Sequence, residues 1–198
     1  MNEGKYINST PKILFDVLRE WPELVDLHIK LRSGGVESIG DADKQVLMEV
    51  AEACGWDEKD VAEEIANMDL HPSERVYRYR EIFSNYYELA KRFAEAGNTT
   101  QAAEKLWGAA LALIKLYAAA KGIFVAHWSM GKVEKFITSN IGKEHKKLFR
   151  DLIDKAHILH EHFYEKHLDF QSFKERWDEA IELLEKVKNI IFEELKIS

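Results

Sequence analysis

Apolar residues recur along the second half of the chain at the spacing of helices buried on one side. Over 143–167, Leu148, Leu152, Ala156, Leu159 and Phe163 follow one another at steps of four, four, three and four. Over 171–195, Phe173, Trp177, Ile181, Leu184, Val187 and Ile191 repeat the pattern. Each series puts one stripe against a core and leaves charged residues on the other side. A third helix is predicted over 73–96, stopping at Gly97, and a fourth from Thr99 or Thr100 to Lys121, stopping at Gly122. The fourth is rich in alanine, from Ala102 to Ala120. Small side chains let neighbouring helices come close, so this helix is predicted to be central. A short helix from Ser129 lies in the connection that follows. Helices of roughly 25 residues are about 35 Å long, and four of them with one crossover suit a four-helix bundle.

The first seventy residues carry shorter patterns. They start after Thr10-Pro11, after Pro22, at Asp41 and at Asp57, and the chain breaks at "DLHPSE". All three prolines sit where a helix begins. No segment shows the two-residue alternation of a strand. The predicted fold is therefore all-α: short helices over 1–70, then an up-and-down four-helix bundle over 71–198.

Composition narrows the function classes. The 198 residues are 46% hydrophobic and 32% charged, ordinary for a globular protein, with a net charge of −7. That charge argues against general affinity for nucleic-acid backbone. A lone cysteine, Cys54, excludes an internal disulfide and a cysteine-rich zinc module. The first residues lack the apolar run of a secretion signal, and no stretch is apolar enough to span a membrane. A cytoplasmic location is expected, with no membrane partner.

"AHILHEHFYEKH", residues 156–167, concentrates four histidines. His157, His160, Glu161, Tyr164 and His167 share one broad face of the predicted helix. Metal ligation needs three or four donors in a compact shell. No H-E-x-x-H motif is present, and Asp154-x-x-His157 has no counterpart on another helix, so no metal and no cofactor are expected. Leu159 and Phe163 are assigned to the core. His160 and Tyr164 form a polar edge suited to a ligand, with Asp154 nearby, and His162 and His167 are assigned to solvent. Arg150 and His157 lie two turns apart. An arginine can hold a phosphate while a histidine moves a proton, which makes this pair the candidate catalytic set.

"VLMEVAEACGWDEKDVAEEI" has the small residue, turn glycine and apolar residue of a helix-turn-helix at Ala51, Gly55 and Val61. Its second helix is acidic and would be repelled by DNA. A plain helical hairpin is predicted, with no DNA partner.

Two segments together resemble the archaeal PaREP proteins, which are grouped near the HEPN domains. The first is a G-x-x-x-Q-A-x-E-K-x-W-G-A pattern, here Gly97, Gln101, Ala102, Glu104, Lys105, Trp107, Gly108 and Ala109. The second is A-x-x-L-H-x-N-F-Y-E, here Ala156, Leu159, His160, Phe163, Tyr164 and Glu165, with His162 in place of Asn. The resemblance covers about 73–195. It implies a HEPN-like helical bundle, often a homodimer, that binds a nucleotide, an RNA or a protein partner. HEPN relatives also include metal-independent RNases with an R-x(4–6)-H signature. Arg150-x6-His157 meets that signature at its long limit, whereas His160 has Lys155 and no arginine at that distance. The leading expectation is a non-catalytic binding protein. An RNase acting across a dimer and an assembly scaffold are the alternatives.

Overall fold

A long alanine-rich helix lies at the centre of the molecule, and the reason is in its sequence. In the computed structural model, residues 20–124 and 129–197 are described. They form eight α-helices and one short 3-10 turn, with no strand among the described residues. The helices are α1 (Pro22–Gly34), α2 (Asp41–Cys54), α3 (Glu58–Ala66), α4 (Pro72–Glu95), α5 (Thr99–Ala120), α6 (Met130–Asn140), α7 (Lys143–Glu165) and α8 (Phe170–Leu195). The helix predicted after Thr10, and Val125 and Trp128 of the connection, lie outside the described residues.

In α5, 17 of 22 residues are buried, so it is covered on every side. A helix that is apolar all round belongs inside a larger core. α4 and α7 pack against α5 most extensively, α8 packs on α7 and also reaches α5, and α6 rests on α7. The stripes on α7 and α8 face inward, with Leu152, Ala156, Leu159, Leu184, Val187 and Ile191 inaccessible to solvent. Trp177 and Leu148 are only partly buried, at the margins of those stripes.

The helix ends are fixed locally. At the start of α5, the Asn98 side chain accepts the Gln101 N–H at 3.2 Å. Asp169 does the same for Ser172 at the start of α8, at 2.8 Å. Each satisfies an amide that has no partner within its helix. Gly97 turns the chain between α4 and α5 with φ of 73°, where a side chain would be strained.

The short helices continue the same hydrophobic core. α1, α2 and α3 contribute Leu24, Leu27, Leu47, Val50, Val61 and Ile65 to one cluster with α4–α8. The α2–α3 corner lies directly on α5. A Cβ on Gly108 would sit 2.7 Å from the Gly55 carbonyl oxygen and 2.9 Å from the Tyr86 ring, so the backbones meet with no room for a methyl group. Two indoles lock this crossing. Trp56 donates its ring N–H to the Gly108 carbonyl at 2.8 Å, and Trp107 donates back to the Ala53 carbonyl at 2.9 Å.

Candidate functional site

Beside that crossing the surface opens into a groove. Its volume is about 430 Å³, and its walls come from three helices and a turn. α2 supplies Met48, Ala51 and Glu52, and Trp56, Asp57 and Glu58 follow at the α2–α3 corner. α5 supplies Gln101, Glu104 and Lys105, and α7 supplies Phe163 and Tyr164. Steps of three and four bring these residues to one face of each helix.

Glu104 and His160 form the deepest polar contact. Glu104 is 8% exposed and His160 9%, and Nδ1 of His160 lies 2.7 Å from Oε2 of Glu104. A carboxylate can only accept, so Nδ1 carries the proton. The imidazole also stacks on the Trp107 ring, with centroids 5.3 Å apart and planes 22° apart. Tyr164 stands edge-on to His160 at the rim, half exposed. Its hydroxyl donates to the Glu52 carbonyl at 3.4 Å. Burial, with the negative charges of Glu104 and Glu52, pushes the Tyr164 phenol up to about 12. It remains a donor at neutral pH. Lys105 bonds Asp57 at 2.8 Å and lies over the Tyr86 ring, so the one lysine of the wall is already engaged. The wall is otherwise acidic and aromatic.

The predicted site residues separate into three places. Tyr164 lines the groove, and His160 lies beside it, edge-on to its ring and bonded to Glu104. His157 is next to them, edge-on to Trp107 at 5.6 Å and 3.8 Å from Glu161. Arg150 is turned towards α6, where it binds both oxygens of Glu134 at 2.8 and 3.0 Å and Thr138 at 2.9 Å. Among the described residues no hydrogen bond or ion pair joins Arg150 to His157. Asp154 is exposed and lines an open hollow between α7 and α8 with Lys147, Asp151, Lys155, Glu179 and Glu182.

Two assignments on α7 need correction. His162, expected in solvent, is 2% exposed. Its Nδ1 accepts the Leu168 N–H at 3.1 Å, which closes the turn after α7, and Nε2 faces the Thr99 hydroxyl at 3.3 Å. A histidine near a helix end can fold back over the next turn, and helical phase alone does not reveal that. Phe163, expected in the core, is half-buried and forms part of the groove wall.

Sequence reasoning missed the α2–α3 wall. Trp56 directly after Gly55 was the available signal, because an indole after a turn glycine needs a partner across the crossing. Sequence reasoning also missed a sealed polar centre further along α5. There Lys115 bonds both oxygens of Glu64 at 2.9 and 2.8 Å, and Tyr79 donates to the same carboxylate at 2.5 Å. Lys115 is 1% exposed and lies 4.2 Å from the centre of the Trp56 ring. Burial pulls its ammonium down, but Cys54 and Glu64 outweigh that pull and the net direction is up. Among the described residues no three His, Cys, Asp or Glu side chains are grouped to hold a metal ion. No described helix is long and apolar enough to cross a membrane.

Together these features define an all-helical protein with a carboxylate–imidazole pair set into the wall of an acidic, aromatic groove. The chain belongs to the archaeal PaREP1/PaREP8 family, whose sequence model matches residues 78–184. No curated protein and no solved structure matches it. The matched span includes the α5 and α7 walls of the groove and leaves out the α2–α3 wall.

Proposed function

We propose that this protein is a non-catalytic, HEPN-like helical bundle whose groove takes a basic segment of a protein partner. The observation that carries this reading is the lining of the groove. Glu52, Asp57, Glu58 and Glu104 face a single lysine, Lys105, which Asp57 already engages. Trp56, Phe163 and Tyr164 add aromatic surface. Carboxylates beside aromatic faces suit an ammonium or guanidinium group, by charge and by cation–π attraction. The same charges repel a phosphate backbone, so an RNA or a nucleotide fits less well. The reading also keeps the homodimer that the resemblance implies. Light scattering that gives 23 kDa would remove that part.

The RNase reading rests on Arg150 and His157 sharing one phosphate. Arg150 is instead committed to Glu134 and Thr138, and His157 to the Trp107 ring. No specific observation favours it.

The test is fluorescence anisotropy with a labelled lysine-rich peptide, mixed single-stranded RNA and ATP as separate probes. The peptide should bind, and its affinity should fall with salt. Glu58→Lys should weaken it about tenfold, the equivalent of about 1.4 kcal/mol. RNA binding tighter than peptide binding would sink the reading. So would RNA cleavage in EDTA that both Arg150→Ala and His157→Ala abolish.

A further inference from the structure

Arg75, in the first turn of α4, is buried to 3% exposure, yet among the described residues Nε, Nη1 and Nη2 all lack a hydrogen-bond partner. Arginine is charged at any ordinary pH, and an unpaired charge in the interior is among the costliest arrangements a fold can hold. The surrounding charges do not balance it. Glu64 is the buried carboxylate near Arg75, and it is already bonded to Lys115 and Tyr79. The hydroxyl of Tyr79 is held protonated by burial and by Glu64. This part of the interior therefore carries two cations against one carboxylate.

The guanidinium lies against the Phe124 ring, 5.5 Å from its centre. Phe124 also forms the wall of a cavity of about 250 Å³, together with Glu20, Ile123, Lys132, Lys135, Phe136, Ser139 and Asn140. Lys132 pairs with Glu20 at 3.3 Å. Lys135 makes no ion pair among the described residues. The cavity thus has Lys135 in its lining, and an unmatched guanidinium lies against Phe124 just outside that lining.

We propose that Arg75 is the inner anchor of a site for a small oxyanion, a phosphate or carboxylate group, which enters this cavity past Phe124 and is met in the cavity lining by Lys135. The planar fork of the guanidinium offers parallel N–H groups that match two oxygens of such an anion. A phosphate or a small carboxylate is within the size of the cavity, and a macromolecule is not. The ligand supplies the negative charge that the Glu64–Lys115–Arg75 group lacks. This site does not depend on the groove or on its occupant.

The experiment is thermal unfolding of the full chain, with inorganic phosphate and sodium acetate as separate probes and sodium chloride at matched ionic strength as the control. Phosphate at about ten times its dissociation constant should raise the midpoint by roughly 3–6 °C over chloride. Arg75→Met should abolish that rise, and Lys135→Ala should shift it to higher phosphate concentration. If Arg75→Met does not fold, Arg75→Lys serves instead; its single ammonium should weaken the phosphate response at least severalfold. A response to acetate alone assigns the site to carboxylates. Two results would overturn the proposal: neither anion raises the midpoint over chloride, or the rise persists unchanged in the Arg75 variant.

Discussion

Helix α5 carries two buried polar centres, Glu104 with His160 and Lys115 with Glu64, eleven residues and three turns apart on one face. They are built differently. The Lys115 centre is closed on all sides, and every oxygen of Glu64 has a donor. The Glu104 centre has one wall of solvent-filled groove and a rim that ends in a half-exposed tyrosine. Both satisfy their hydrogen bonds, so burial alone does not mark function. The difference is access. The sealed centre ties α3, α4 and α5 together, while the open one adjoins the groove through Glu104.

Stability measurements can break this comparison, and the largest effects should fall on the sealed side. Lys115→Met leaves the Glu64 carboxylate buried without its cation and should cost about 3–5 kcal/mol in urea unfolding. Lys115→Met combined with Glu64→Leu should recover a good part of that loss, because no charge is then stranded. A single-variant loss below about 1 kcal/mol would mean that water reaches Glu64 and that the two centres are alike. Trp107→Ala acts on the open centre, where the indole stacks on His160, and on the helix crossing, where it holds the Ala53 carbonyl. It should cost about 3–5 kcal/mol by lost packing, measured in the same way.

On the open side the effects are smaller. Glu104→Gln keeps the shape but exchanges a charge-assisted bond to His160 for a neutral one. It should cost about 1–2 kcal/mol and alter peptide binding more than folding. A larger stability loss than that of Lys115→Met would reverse the assignment of the two centres.

Acid should find a third weak point. Burial lowers the His162 pKa from its ordinary value near 6.5, with His167 adding to the effect. The unfolded chain therefore takes up the proton first. The His162 contribution is complete above about pH 6.5 and is lost as pH falls through the lower folded value. His162→Gln should flatten the acid limb of a stability profile measured from pH 7 to 4, relative to the parent. An unchanged limb would show that His162 does not titrate differently in the folded protein. The smallest effect expected is that of Arg150→Ala. An exposed ion pair with Glu134 contributes little, so the urea midpoint should hardly move, and peptide binding in the groove should not change.

The helices were readable because their signals are local. Pro72, Gly97, Gly122 and the four-and-three steps of α7 and α8 all lie within a turn or two of what they control. The predicted boundaries accordingly fall within a residue or two of the observed ones. The groove was half readable. Helical phase placed His160 and Tyr164 on one face but could not say what faces them, because Glu52 and Trp56 reach that face across more than a hundred residues of chain. Lys115 stood in plain view between Ile114 and Leu116. A lone lysine in an apolar helix calls for a buried counter-charge, yet nothing in the spacing names Glu64 as that partner. Arg150 and His157 show the converse situation. Their shared phase is real, but each is held by a different neighbour.

The meeting of Gly55 and Gly108 has a consequence for how the groove can be altered. Two main chains in direct contact act as a fixed ruler, and they set the spacing between the α2–α3 corner and α5, which carry two walls of the groove. Side chains on those walls, such as Met48, Glu58 and Gln101, are not part of the ruler. They can be exchanged for larger, smaller or oppositely charged ones without changing that spacing. Such a design separates the part of the protein that must stay constant from the part that can vary, so the groove can be reshaped or recharged one residue at a time.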